Sequence, residues 1–162
     1  MSFTKIYRVD SDEPEKGIKG FKTLMKKTLA AELVKRFGRP DEMKELYADD
    51  IRWSLSISLG KIAGPYEGRE AVEAFNRRIW EVVYHGEVEV EILDDIGDER
   101  ASAVRFIYRA TYRNNAAAYE NQYTLFVRSD QGRIREVFEG LDTPASINAY
   151  AGLPPDHNPY RQ

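Results

Sequence analysis

From Ile51 to Leu59 every second residue is large and apolar, and Arg or Ser fills the places between: Ile51-Arg-Trp53-Ser-Leu55-Ser-Ile57-Ser-Leu59. Alternation of period two predicts a strand with one buried and one wet face over residues 51–59. Upstream, Ile18, Phe21, Met25, Leu29 and Leu33 recur at helical spacing, which predicts an amphipathic helix over residues 18–37 that Gly38 ends. Pro40-Asp41 restarts a short helix over 40–47. Residues 60–68 read as a loop. Val72, Phe75, Ile79 and Val82/Val83 then mark the buried stripe of a long helix over 69–84. Strands follow at 87–92, 100–113, 119–128 and 133–141, punctuated by the turns 94–98, Asn114-Asn115 and Ser129-Asp-Gln-Gly132. A short helix over 143–150 precedes a proline-rich tail.

Helices first and a run of antiparallel strands afterwards predict an α+β domain, a curved antiparallel sheet wrapped around N-terminal helices. Such a curve leaves a blind cavity where the helices cannot fill it. Residues 18–151 form this one domain, with a charged arm at 1–17 and an extended tail at 152–162. A chain of 162 residues with 42% hydrophobic and 31% charged positions fills one core under a solvated surface. The 24 Lys+Arg against 27 Asp+Glu, with no basic block, lack the electrostatic footprint of a nucleic-acid or anionic-membrane binder. The absence of cysteine excludes disulfides, thiol nucleophiles and thiolate metal sites, and His85 and His157 alone make no histidine-rich metal centre. No apolar run reaches the length of a membrane span, so a soluble, cytoplasmic protein is expected.

Two sets of residues carry a resemblance. Leu46-Tyr47-Ala48-Asp49-Asp50 leads into a strand, and Gly64-Pro65-Tyr66-Glu67-Gly68-Arg69-Glu70-Ala71 opens a helix. Further on, Tyr119-Glu120-Asn121-Gln122-Tyr123 and Gly132-Arg133-Ile134-Arg135-Glu136 close on Leu141-Asp142-Thr143. In this order the chain resembles the nuclear transport factor 2-like superfamily in its SnoaL-like branch. The resemblance implies the cone of that superfamily, a cystatin-like α+β barrel. It also implies chemistry drawn from isomerases, dehydratases, cyclases, epoxide hydrolases and non-catalytic ligand binders. The ketosteroid isomerases of this fold pair an Asp base with an oxyanion hole of Tyr and protonated Asp. The matching positions here hold Leu55, Ala31 and Tyr123, so that mechanism lacks its base. The limonene epoxide hydrolase pattern needs two carboxylates; Glu139 matches one, and residues 101–119 contain no Asp or Glu to supply the other. Residues 119–144 are similar to the phenazine-biosynthesis A/B family. That similarity implies Glu139 as the central acid/base and a place in secondary-metabolite assembly, while the family's His and Ser partners are not visible in 69–84.

Glu139 is therefore the leading candidate. If Arg135, Val137, Glu139 and Leu141 share an inward face, burial raises its carboxyl pKa toward neutrality, where a general acid/base works best. The other parity would place Ile134, Glu136 and Phe138 inward and leave Glu139 in solvent. Asn121 and Tyr123 share a face with Leu125 and Val127 and are the expected holders of a substrate oxygen or nitrogen. His85, at the end of the predicted helix, is the candidate proton shuttle. Trp53, Leu55, Phe75, Trp80, Tyr84, Tyr108, Tyr112 and Val137 are the expected substrate-binding walls. The row Arg105/Arg109/Arg113 reads as an outer face and, with the superfamily's habit of pairing through the sheet, implies a homodimer. The function expected is cofactor-independent general acid/base catalysis on a small, largely apolar substrate: dehydration, isomerisation, cyclisation or condensation. The alternative is a non-catalytic, ligand-binding homodimer. No cofactor and no nucleic-acid or membrane partner is expected.

Overall fold

The computed structural model describes residues 27–152 and Pro154. The arm 1–17, the first half of the predicted helix 18–37 and the tail with His157 lie outside the described residues. Helix α1 spans Leu29–Lys35, and Thr28 caps it: its backbone is extended and its Oγ1 accepts the Ala31 N–H at 3.2 Å. The apolar spacing through residues 18–33 predicted one continuous helix, and the extended Thr28 cap corrects that. Thr28 is itself tied to the sheet, its hydroxyl donating to Asp95 at 2.5 Å. Gly38, at φ +84°, ends the turn that follows α1, as expected. Helix α2 covers Pro40–Met43 and tightens into a 3-10 turn, Lys44–Leu46.

Strand β1 runs Tyr47–Leu55, earlier than the alternation suggested. Ile51, Trp53 and Leu55 point inward, but the chain leaves the sheet at Ser56 and coils through 3-10 turns, Ile57–Ala63. Ile57, predicted as a buried strand position, is 91% exposed. After the two-residue β2, Tyr66–Glu67, helix α3 runs Arg69–Arg77 and passes into a π-helical turn, Arg78–Val83. The predicted helix 69–84 is thus two helical forms, and Tyr84 already opens β3. The wider π turn keeps Ile79, Trp80 and Val83 on the inner side although the ordinary helical register has slipped.

The remaining strands are β3 (Tyr84–Gly97), β4 (Ala101–Tyr112), β5 (Ala118–Asp130) and β6 (Arg133–Leu141), and α4 (Thr143–Tyr150) follows with Asp142 as its N-cap. They form one curved six-stranded sheet in the order β2-β1-β6-β5-β4-β3, with helices on its inner face. All pairings are antiparallel except β1 with β6, which is parallel. The sheet stays open, with β2 and β3 as its edges. Val104, Phe106, Tyr108, Ala110 and Tyr112 of β4 face inward as read from the sequence. Arg105 and Arg109 face outward and pair with Asp94 and with Glu89, Glu91 and Glu120.

Candidate active site

The site is set by a one-residue irregularity in β6. Val137 pairs with Val127 and Glu136 with Arg128, but Ser129 pairs with Ile134, so Arg135 is the extra residue of a bulge. The bulge places Ile134, Val137, Glu139 and Leu141 on the inner side. The predicted inward face that included Arg135 is corrected at that residue: Arg135 is exposed and binds Asp50, its Nη2 2.7 Å from Oδ2. Glu139 lies between Leu55 of β1 and Leu125 of β5, its partners in register on either side. Both neighbours are buried and apolar, so nothing beside the carboxyl replaces its lost hydration except one donor. That donor is Trp53, whose Nε1–H reaches Glu139 Oε2 at 2.9 Å. Burial pushes the Glu139 pKa up to about 7, with the Trp53 hydrogen bond opposing the rise. Among the described residues nothing donates to the second carboxyl oxygen.

Glu139 lines a cavity of about 540 Å³, its mouth included, between the sheet and the helices. Trp53, Leu55, Phe75, Trp80, Tyr84, Tyr108 and Tyr123 line it with Glu139. Four candidates stand elsewhere. Asn121 is buried behind the wall, where its Nδ2 donates to Tyr119 Oη at 2.9 Å and to the Asp142 carbonyl at 3.1 Å, tying β5 to the start of α4. Tyr112 stacks against Tyr84 beneath the wall, and Val137 is fully covered one residue pair below Glu139. His85 is exposed, because on a strand it takes the opposite face from the buried Tyr84. The helical segment ends beside the cavity, with its C-cap Tyr84 in the wall, but the His85 side chain does not line it.

Other lining residues escaped the sequence reading. Asn76, 2% exposed, donates to Tyr47 Oη at 2.7 Å from the buried side of α3. It breaks an apolar stripe one residue after Phe75, which was the available signal. Ser146 and Tyr150 come from α4, one turn apart, a spacing that puts both on one helix face. Tyr150 and Tyr84 share a hydrogen bond between their hydroxyls. Tyr123 and Tyr119 share another at 2.8 Å. Burial holds the Tyr84, Tyr108, Tyr123 and Tyr150 phenols well above their ordinary pKa, so all four are neutral donors at any physiological pH. Tyr108 is open on one side: its oxygen accepts the Trp80 Nε1–H at 3.0 Å, and among the described residues nothing accepts its own proton. The inner surface thus offers one carboxyl that gains or loses a proton near neutrality and a phenol ready to donate. Among the described residues no group of three or more His, Cys, Asp or Glu could hold a metal ion.

The family model of the SnoaL-like domain matches residues 27–137. The chain belongs to the SnoaL-like domain family. Solved structures agree on this fold. An NTF2-like protein of unknown function from Burkholderia pseudomallei is 21% identical, with a TM-score of 0.61 over 72% of this chain and 90% of that one. A putative SnoaL-like polyketide cyclase from Jannaschia is 16% identical, with a TM-score of 0.61 over 76% and 92%. A putative isomerase from Rhodopseudomonas palustris is 19% identical, with a TM-score of 0.61 over 74% and 90%. Comparison with curated protein sequences finds no significant match. At these identities the likeness establishes the SnoaL-like architecture, which isomerase-named and cyclase-named proteins share, and leaves the chemistry to the residues of the cavity. Among the described residues no helix is long and apolar enough to cross a membrane.

Proposed function

We propose that this SnoaL-like domain is a cofactor-independent acid–base enzyme acting on a small, largely apolar molecule, with Glu139 moving the proton. The observation that carries this reading is the environment of that carboxyl: it lines the cavity, two leucines flank it, one indole N–H holds it, and its pKa is about 7. A group that is half protonated near neutrality both takes and returns a proton efficiently. Tyr123 and Tyr108 are the phenols that hold an oxygen or nitrogen where charge develops, and Tyr108 has the open proton. Asn121 then acts through Tyr119, which it bonds, and so positions Tyr123 without touching the substrate. The reaction types that suit one carboxyl and neutral donors are dehydration, isomerisation, cyclisation and condensation. The similarity of residues 119–144 to the phenazine-biosynthesis A/B family favours condensation in secondary-metabolite assembly, where a glutamate in this place is the acid/base.

The test is Glu139→Gln assayed on a panel of enolisable or dehydratable cyclic compounds. Loss of turnover by roughly 10²–10⁴-fold with folding retained supports the enzyme. A wild type that binds panel members but turns over none of them makes the protein a ligand binder. We also propose that the chain pairs with a second copy through the outer face of the sheet, where Ile96, Phe126 and Phe138 are exposed.

A further inference from the structure

The charge pattern of the cavity narrows what it can hold. Glu139 is the one ionisable carboxyl or amine side chain among the described lining residues, and among the described residues no Lys, Arg or His lines the wall. Around it stand aromatic rings from every side: Trp53 from β1, Phe75 from α3, Trp80 from the π turn, Tyr108 from β4 and Tyr123 from β5. The face of each ring carries the negative part of its quadrupole. An anionic ligand would meet these faces and a carboxylate, with no positive side chain among the described lining residues to receive it. A neutral hydrocarbon would leave the second carboxyl oxygen, which accepts no hydrogen bond from the described residues, stripped of water and unmatched. A compact cation with apolar substituents satisfies both features, pairing with the carboxylate and lying against the rings.

We infer that the ligand of this cavity is a small organic cation, a protonated or quaternary amine, seated between the Glu139 carboxylate and the aromatic walls. The inference rests on the reading that Glu139 faces the working cavity, and it adds the chemical class of what binds there. Binding is pH-dependent, because only the ionised carboxylate pairs with the cation. The titratable groups that feel Glu139 are phenols: Tyr47 of β1, Tyr66 of β2, Tyr108 of β4, and Tyr119 and Tyr123 of β5. Burial keeps each of them above its ordinary pKa, and so neutral through the range of interest. Tyr84 of β3 and Tyr150 of α4 are held neutral in the same way. On the α3 side, Glu73 acts on Tyr47 and Arg78 on Tyr66, and neither lines the cavity. Among the described residues, Glu139 is therefore the group that sets the pH profile.

The experiment compares choline with 3,3-dimethylbutan-1-ol, which has the same shape without the charge. Choline's charge is permanent, so any pH dependence belongs to the protein. Binding is read from the fluorescence of Trp53 and Trp80, both in the wall, and by calorimetry on the wild-type chain. The expected result is choline favoured about tenfold or more above pH ~8, a preference that fades below pH ~6 as the carboxyl protonates. Glu139→Gln removes the preference and leaves the alcohol's affinity unchanged or improved. Equal binding, tighter binding of the alcohol, or no binding of either compound overturns the inference, as does a choline preference that survives Glu139→Gln. The wild-type comparison decides the question even if the variant does not fold. A carbon-13 titration of the Glu139 carboxyl separates the two readings. A pKa near 7 without choline preference overturns this inference alone, whereas an ordinary carboxyl pKa overturns the acid–base reading beneath it.

Discussion

Glu139 owes its character to its neighbours in the sheet more than to any partner. Leu55 and Leu125 occupy the paired positions on either side, so the carboxyl loses water laterally and receives only the Trp53 N–H in return. Its pKa, raised from 4.5 to about 7, means that between those values the folded protein keeps a proton that the unfolded chain has released. The folded state is therefore favoured below this window, and stability falls as pH rises through it, levelling above about 7. Glu139→Gln carries no such proton. Relative to wild type the variant should gain roughly 3 kcal/mol of stability between about pH 4 and pH 8, measured by urea denaturation at both ends. A difference that does not change with pH would mean the carboxyl is solvated in the folded state. Trp53→Phe tests the opposing contribution. Because the indole hydrogen bond lowers the Glu139 pKa, its removal should push the midpoint in a carbon-13 titration further above 7. A fall or no change would show that the indole does not hold the carboxylate.

The elements explain which parts of this arrangement the sequence revealed. Inward-facing Tyr108 and Tyr123 follow from uninterrupted alternation in β4 and β5, and Trp53 from the same pattern in β1. Where the backbone departs from its period, pattern reading fails. Arg135 is counted as a core position because a bulge leaves no mark in the spacing of side chains. Ile57 and Leu59 continue the alternation after the strand has ended, since 3-10 turns bury Leu59 by a different geometry. The π turn after Arg77 likewise carries Trp80 into the cavity wall and delivers Tyr84 to a strand, which moves His85 to solvent. Asn121 was legible as buried and polar, but its partners lie on β5 itself and at the α4 cap, which only the folded chain brings together. Tight turns make the same point in reverse. Gly97 has φ +127°, and a Cβ there would lie 2.3 Å from the Ala101 carbonyl oxygen and 2.5 Å from Ser102 Cα. Since both obstacles are backbone, Gly97→Ala should cost more than about 2 kcal/mol and pull the β3–β4 hairpin apart. Gly132→Ala, at φ +74° with open space around it, should cost only about 1 kcal/mol. Thermal melts of the two variants give the comparison, and equal losses would contradict the clash.

Across the whole molecule, the outer face of the sheet is arranged in rows that cut across the strands. Ile96, Ala103, Phe126 and Phe138 are consecutive partners in register on β3, β4, β5 and β6, and Ser54 of β1 continues the row. Ile96, Phe126 and Phe138 are 65%, 55% and 41% exposed, and the two phenylalanine rings lie 6.4 Å apart. This apolar stripe has a charged row on one flank, Arg128, Glu136, Arg52 and Glu67, also in register. On the other flank stand Asp94 with Arg105, and then Arg109 among Glu89, Glu91 and Glu120. An apolar centre with a rim of mixed sign is the anatomy of a protein interface. Because each rim carries both signs, a second copy turned about a two-fold axis meets opposite charges as readily as like ones, which a partner of single sign would not. In such a pairing the apolar centre would remove the exposed rings from water, and the ion pairs would set the register. The cavity is lined from the opposite face of the sheet, so pairing through the outer face would not cover its lining residues. Phe126→Asp with Phe138→Asp should therefore convert a dimer to a monomer in light scattering while circular dichroism and the Glu139 titration stay unchanged. A wild-type chain that is already monomeric at ~100 μM would remove the outer face from consideration as an interface between copies, since a stable pairing holds at ~μM concentrations or below.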